Sequence, residues 1–129
     1  MVKAILLCTS FLLVLGCPNE RRDPARVEEP ARQVDVRLTE FEIQMPDTMP
    51  AARTTFRVTN AGTMEHTFQI EGEGVDESLG RNLEPGESAT LTADLRPGSY
   101  RVWCPLGDHA DRGMRKEIRV MENNRREPR

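Results

Sequence analysis

Residues 103 to 114 read WCPLGDHADRGM and hold a thiol at Cys104, an imidazole at His109 and a thioether at Met114. Four residues separate Cys104 from His109, and four more separate His109 from Met114. The chain has only three Cys and two His in 129 residues, so this is a dense placement of scarce donors. The second histidine, His66, stands at the start of a predicted strand in NAGTMEHTFQI. A thiolate, two imidazoles and a thioether are soft to borderline donors. Such a set suits late transition metals, whereas calcium and magnesium take oxygen ligands.

A thiolate with two imidazoles in a trigonal arrangement and a weak axial thioether is a blue-copper set. The thiolate bonds covalently to copper, and the imidazoles suit both oxidation states. A weak axial sulfur satisfies neither the tetragonal preference of Cu(II) nor the tetrahedral preference of Cu(I), so little rearrangement accompanies electron transfer. Other chemistry fits less well. Cys104 and His109 could form a nucleophile–base pair, but no oxyanion-donor motif accompanies them, and the chain is not expected to be an enzyme. Structural zinc sites favour Cys-x2-Cys pairs, which are absent, although the same thiolate and imidazoles would bind zinc. Binuclear copper needs a second Cys in the loop, also absent. Taken singly, a small buried Cys, a surface His and a core Met are the plainer readings. Jointly, both His and the only Cys outside the N-terminal segment occupy the required places.

The elements that must bring His66 to the Cys104–Met114 loop are short and β-like. VDVRLTEFEI (34–43) alternates, with Val34, Val36 and Leu38 on one face. TTFRVTN (54–60), HTFQIEG (66–72), ESATLTADL (87–95), GSYRVWC (98–104) and RKEIRVM (115–121) follow. Turns at Asn60-Ala61-Gly62, Glu84-Pro85-Gly86 and Arg96-Pro97-Gly98 punctuate them. Period-two runs between Pro-Gly and Asn-x-Gly turns predict an all-β sandwich or barrel. Residues 73 to 83 are the least regular and are read as a loop or a short helical turn. In a sandwich, a strand start at one end can meet a loop between two later strands. That gathers His66, Cys104, His109 and Met114 at one pole. Phe68, Tyr100 and Trp103 are expected in the core.

Two segments carry a resemblance. NAGTMEH (60–66) and YRVWCPLGDHADRGM (100–114) are similar to the Asn-x-Gly-x-x-x-His and Tyr-x-x-x-Cys-Pro…His…Gly-Met patterns of the cupredoxins, the small blue-copper proteins. The resemblance covers about residues 34 to 121, and the Cys-x4-His-x4-Met spacing looks like that of auracyanin and rusticyanin more than that of plastocyanin. It implies a Greek-key β-sandwich of about seven to eight strands carrying one type 1 copper and transferring electrons. His66 is then the strand ligand, Cys104 the thiolate, His109 an exposed-edge imidazole and Met114 the axial ligand. The Thr67 hydroxyl is expected to point toward the Cys loop, where relatives use Asn or Ser. Asp108 departs from the Gly common before the loop histidine and sets a carboxylate at the expected electron port. A copper-delivery module on the same fold is the alternative function, and a metal-free interaction module a third.

The N-terminus adds an address. MVKAILLCTSFLLVLGC has the layout of a secretory signal, and LVLGC resembles a lipoprotein lipobox. Residues 1–16 are therefore read as the signal, and Cys17 as the lipidated first residue of the mature chain. Residues 18 to 33, with four Arg against four acids and several Pro, form a charged tether between Cys17 and the domain at 34–121. Residues 122–129 form a disordered tail. The expectation is a monomer anchored to a membrane and facing the periplasm or the extracellular side. Net charge is −3 overall, so nucleic acid is not an expected partner. Within 34–121, ten basic residues face fifteen acidic ones, a net −5 that implies redox partners with a basic docking face.

Overall fold

Alternation along the chain decides which residues meet in the interior. The computed structural model describes residues 30–124, so the signal, Cys17, most of the tether and the end of the tail lie outside it. Nine strands form among the described residues: β1 (Arg32–Thr39), β2 (Glu42–Gln44), β3 (Thr48–Pro50), β4 (Ala52–Asn60), β5 (Gln69–Gly72), β6 (Val75–Ser78), β7 (Ser88–Leu95), β8 (Gly98–Trp103) and β9 (Arg115–Met121). They make two sheets, one ordered β2-β1-β4-β7 and the other β3-β9-β8-β5-β6. The chain changes sheet repeatedly, as a Greek-key sandwich requires. The all-β sandwich expected from the sequence is the observed fold, with nine strands where seven to eight were expected; four of them, β2, β3, β5 and β6, are only three or four residues long.

Each long strand buries every second residue. Val34, Val36 and Leu38 of β1, Phe56 and Val58 of β4, and Leu91, Ala93 and Leu95 of β7 form one inner face. Tyr100 and Val102 of β8, with Ile118 and Val120 of β9, form the other. Burying one such side chain contributes roughly 1.5–3 kcal/mol. Phe56 and Phe68 bridge the layers, their ring centroids 5.7 Å apart. Tyr100 is buried with its hydroxyl satisfied: it donates to the Arg96 carbonyl at 3.0 Å and accepts the Arg96 N–H at 2.9 Å. Trp103 is half-buried instead, with the Arg101 guanidinium 4.4 Å from its ring centre.

Three local features differ from the sequence expectations. The run 34–43 is not one strand: β1 ends at Thr39 and a turn at Glu40-Phe41 reverses the chain into β2. The irregular segment 73–83 contains β6, which pairs with β5. His66 does not begin a strand. It forms an isolated bridge to Leu83, and β5 starts at Gln69.

Candidate metal centre

The loop between β8 and β9 is closed by its own backbone. The Cys104 N–H donates to the Met114 carbonyl at 3.0 Å, and the Met114 N–H donates to the His109 carbonyl at 3.0 Å. Further bonds from His109 to Leu106 and from Gly113 to Ala110 tighten the turn between them. Gly113 adopts φ 111°, a value that suits a residue without Cβ. These bonds fix where the loop presents its thiol and imidazole.

His66 arrives on the segment between β4 and β5, the strand that pairs with β8, and this segment is pinned as well. Its backbone exchanges two hydrogen bonds with Leu83, at 3.1 and 2.7 Å. Asn60 is fully buried and holds the approach. Its amide donates to the carbonyls of Met64 (2.7 Å) and Leu83 (2.8 Å), while its side-chain oxygen accepts the Gly62 N–H at 2.9 Å. Asn60 is thus more than a turn former.

His66, Cys104 and His109 converge, with ligand atoms within 4.8 Å of one another. The Nδ1 atoms of the two histidines are 3.2 Å apart, and His109 Nδ1 is 3.7 Å from Cys104 Sγ. A metal about 2.0 Å from each nitrogen and about 2.3 Å from sulfur, in a trigonal plane, needs separations of roughly 3.5 and 3.7 Å. These two separations match such an ion to within a few tenths of an ångström, and the third side lies within 4.8 Å. The donor triangle is also enclosed: Cys104 and His66 are fully buried and His109 is 6% exposed. Met114 is fully buried, joined to the triangle's residues through the backbone bonds described above.

The surroundings correct two expectations. The Thr67 hydroxyl turns away and donates to the Arg81 carbonyl at 2.9 Å. The Thr67 backbone N–H points to Cys104 Sγ instead, at 3.4 Å. His109 offers a much narrower edge to solvent than an exposed imidazole would. Phe41 packs against its ring at a centroid distance of 5.3 Å, and the Arg112 guanidinium lies 4.4 Å from the Phe41 ring centre. Arg112 in turn sits 3.7 Å from the Asp108 carboxylate. Phe41 adopts φ 60°, uncommon for an aromatic residue, and costs about 1–2 kcal/mol of backbone strain.

Electrostatics around His66 run in opposite directions. Burial holds its pKa below the ordinary 6.5, the neighbouring His109 pushes the same way, and Glu40 partly opposes both. Glu40 Oε1 lies 3.6 Å from His66 Nε2. Neither Glu40 nor Phe41 was singled out by sequence reasoning, since one is an acid among many and the other sits inside an apparent strand.

No family model matches the chain, and no curated protein matches it. Solved structures do. One is a reduced auracyanin from the photosynthetic bacterium Roseiflexus castenholzii, at 20% identity and TM-score 0.57, covering 71% of this chain and 98% of that one. Auracyanin B is similar at 18% identity and TM-score 0.55, covering 73% and 91%. The fold is cupredoxin-like. A multicopper oxidase also matches, at 20% identity and TM-score 0.55, over 76% of this chain but 45% of that chain. A cupredoxin-like sandwich with buried His66, Cys104 and His109 at one pole is consistent with copper binding.

Proposed function

We propose that this chain is a type 1 copper protein that carries one electron at a time between partner proteins. His66 Nδ1, Cys104 Sγ and His109 Nδ1 would hold the metal, with Met114 as a weak axial donor. The observation that carries the reading is the enclosed triangle of two imidazole nitrogens and one sulfur. Copper supplies a one-electron Cu(II)/Cu(I) couple when bound.

The chain's own part is to keep that triangle still. Backbone bonds lock the Cys104–Met114 loop, and Asn60 locks the His66 loop, so the donors have little freedom to follow a change of oxidation state. Phe41 packs on His109 and the buried Leu83 pairs with His66, which lowers the local dielectric and limits access of water. The Thr67 N–H draws charge from the sulfur. This enclosure supports electron carriage over catalysis, although a multicopper oxidase shares the fold. His109, behind Phe41, is the proposed port.

The membrane address belongs to the same proposal. Cys17 would carry lipid, and residues 18–33 would let the domain swing between membrane-bound partners on the periplasmic or extracellular side. Support comes from the LVLGC sequence. Cys17→Ser should release the protein from membrane fractions or block its processing; normal processing with unchanged fractionation contradicts the anchor.

Voltammetry together with copper competition tests the carrier reading against the delivery reading. A carrier gives a reversible one-electron wave and keeps its copper against a Cu(I) chelator through repeated cycles. A module that surrenders Cu(I) to the chelator is a delivery protein.

A further inference from the structure

The β1–β2 turn places a carboxylate behind one of the two imidazoles. Glu40 is the first turn residue, and its Oε1 accepts the backbone N–H groups of Thr63 and Met64, the latter at 3.2 Å, and the Thr63 hydroxyl at 3.3 Å. Three donors therefore fix the carboxylate on the loop that leads to His66. The same oxygen stands 3.6 Å from His66 Nε2. Among the described residues, His66 Nε2 is one of two buried side-chain polar atoms with no hydrogen-bond partner. A Cβ at Gly62 would collide with the Glu40 carboxylate and lie 3.0 Å from His66 Nε2, so the absent side chain leaves the space between them open.

An unpartnered buried N–H costs about 1–3 kcal/mol, and a few tenths of an ångström of side-chain movement brings Glu40 within bonding distance. From this geometry we infer that Glu40 is a positioning residue for His66. Its carboxylate takes the Nε2–H, holds the imidazole in that tautomer, and leaves Nδ1 bare toward Cys104 and His109. In that tautomer His66 Nδ1 accepts from His109 Nδ1, 3.2 Å away. The thiolate already brings one negative charge to the donor set, and a carboxylate behind His66 adds a second nearby. Both favour Cu(II) over Cu(I), and the carboxylate makes the imidazole a stronger donor. Three hydrogen bonds also keep Glu40 ionised, below the usual carboxylate range, chiefly through the Thr63 N–H.

The copper consequence rests on the proposed function; the tautomer does not. Nitrogen-15 NMR of the metal-free protein reads the tautomer directly. His66 should appear with its proton on Nε2 in the native chain. A proton on Nδ1 overturns the inference whether or not the chain binds copper. Glu40→Gln keeps the shape and an accepting oxygen while removing the charge. In that variant the ratio of Cu(II) to Cu(I) affinity should fall about tenfold, equivalent to a rise of about 59 mV in reduction potential for a one-electron couple. Glu40→Ala should fall at least as far and lose the single tautomer. An unchanged affinity ratio in Glu40→Gln overturns the tuning role even if copper binds normally. A native chain that takes up no copper counts against the proposed function and leaves the NMR result to decide the role of Glu40.

Discussion

Met114 is fully buried, and its amide and carbonyl join the residues of the donor triangle, yet a thioether contributes only weakly to a copper site. Met114→Leu is therefore expected to retain copper and raise the reduction potential, because the lost donor favours Cu(II). A lower potential, or loss of copper, contradicts an axial role. Proton competition acts at the same scale. The folded chain holds His66 below 6.5, so the unfolded chain binds more protons over the range just beneath that value. More protons on the unfolded side means stability rises with pH. The metal-free protein should thus melt at lower temperature as pH drops below about 6.5, and His66→Gln should flatten that trend. A melting temperature insensitive to pH in both proteins contradicts it. His66, Cys104 and His109, which the structure brings together, could be picked out from sequence because Cys and His are rare here, whereas Met114, one of six Met, rested on its spacing in the loop and on the cupredoxin resemblance. Glu40 could not, because nothing in a string of residues says which of twenty-one acids stands behind an imidazole.

Turns and loops, more than strands, decide how the pole is built. The long strands β1, β4, β7, β8 and β9 were legible because their apolar residues alternate over six to nine positions. The short elements were not. β6 (VDES) buries none of its residues fully, and β3 (TMP) is three residues long, so neither shows a period. The Glu40-Phe41 turn was hidden because Phe41 continues an apparent apolar run while adopting a backbone conformation usually left to Gly or Asn. Asn60 offers the clearest test at this scale. Its side chain makes three hydrogen bonds that tie β4 to the His66 loop and to Leu83. Asn60→Ala should cost about 2–4 kcal/mol, given roughly 0.5–1.5 kcal/mol for each bond and the carbonyls left buried. Denaturant unfolding with an unchanged slope measures it. A loss below about 0.5 kcal/mol would mean that the loop is held by other contacts.

Charge and enclosure matter at the scale of the whole molecule. The sandwich domain carries ten basic and fifteen acidic residues over 34–121, and Asp108 stands exposed beside Arg112 near the proposed port at His109. Exposed charges steer encounter more than they hold a complex, and salt screens them. Electron-transfer rates with a partner of basic surface should therefore fall as ionic strength rises, and Asp108→Lys should slow association with little change at the metal. Rates indifferent to both would place docking on apolar surface or elsewhere on the domain. The sandwich itself was legible from alternation and turn residues, whereas the depth of His109 was not, since Phe41 reaches it from a distant part of the chain. The proposed function rests on one buried triangle of His66, Cys104 and His109. The visible spectrum of the domain loaded with one equivalent of Cu(II) tests that most directly. An intense thiolate-to-copper band that disappears in Cys104→Ser is the predicted result, and weak d–d absorption alone, unchanged by that substitution, would contradict it.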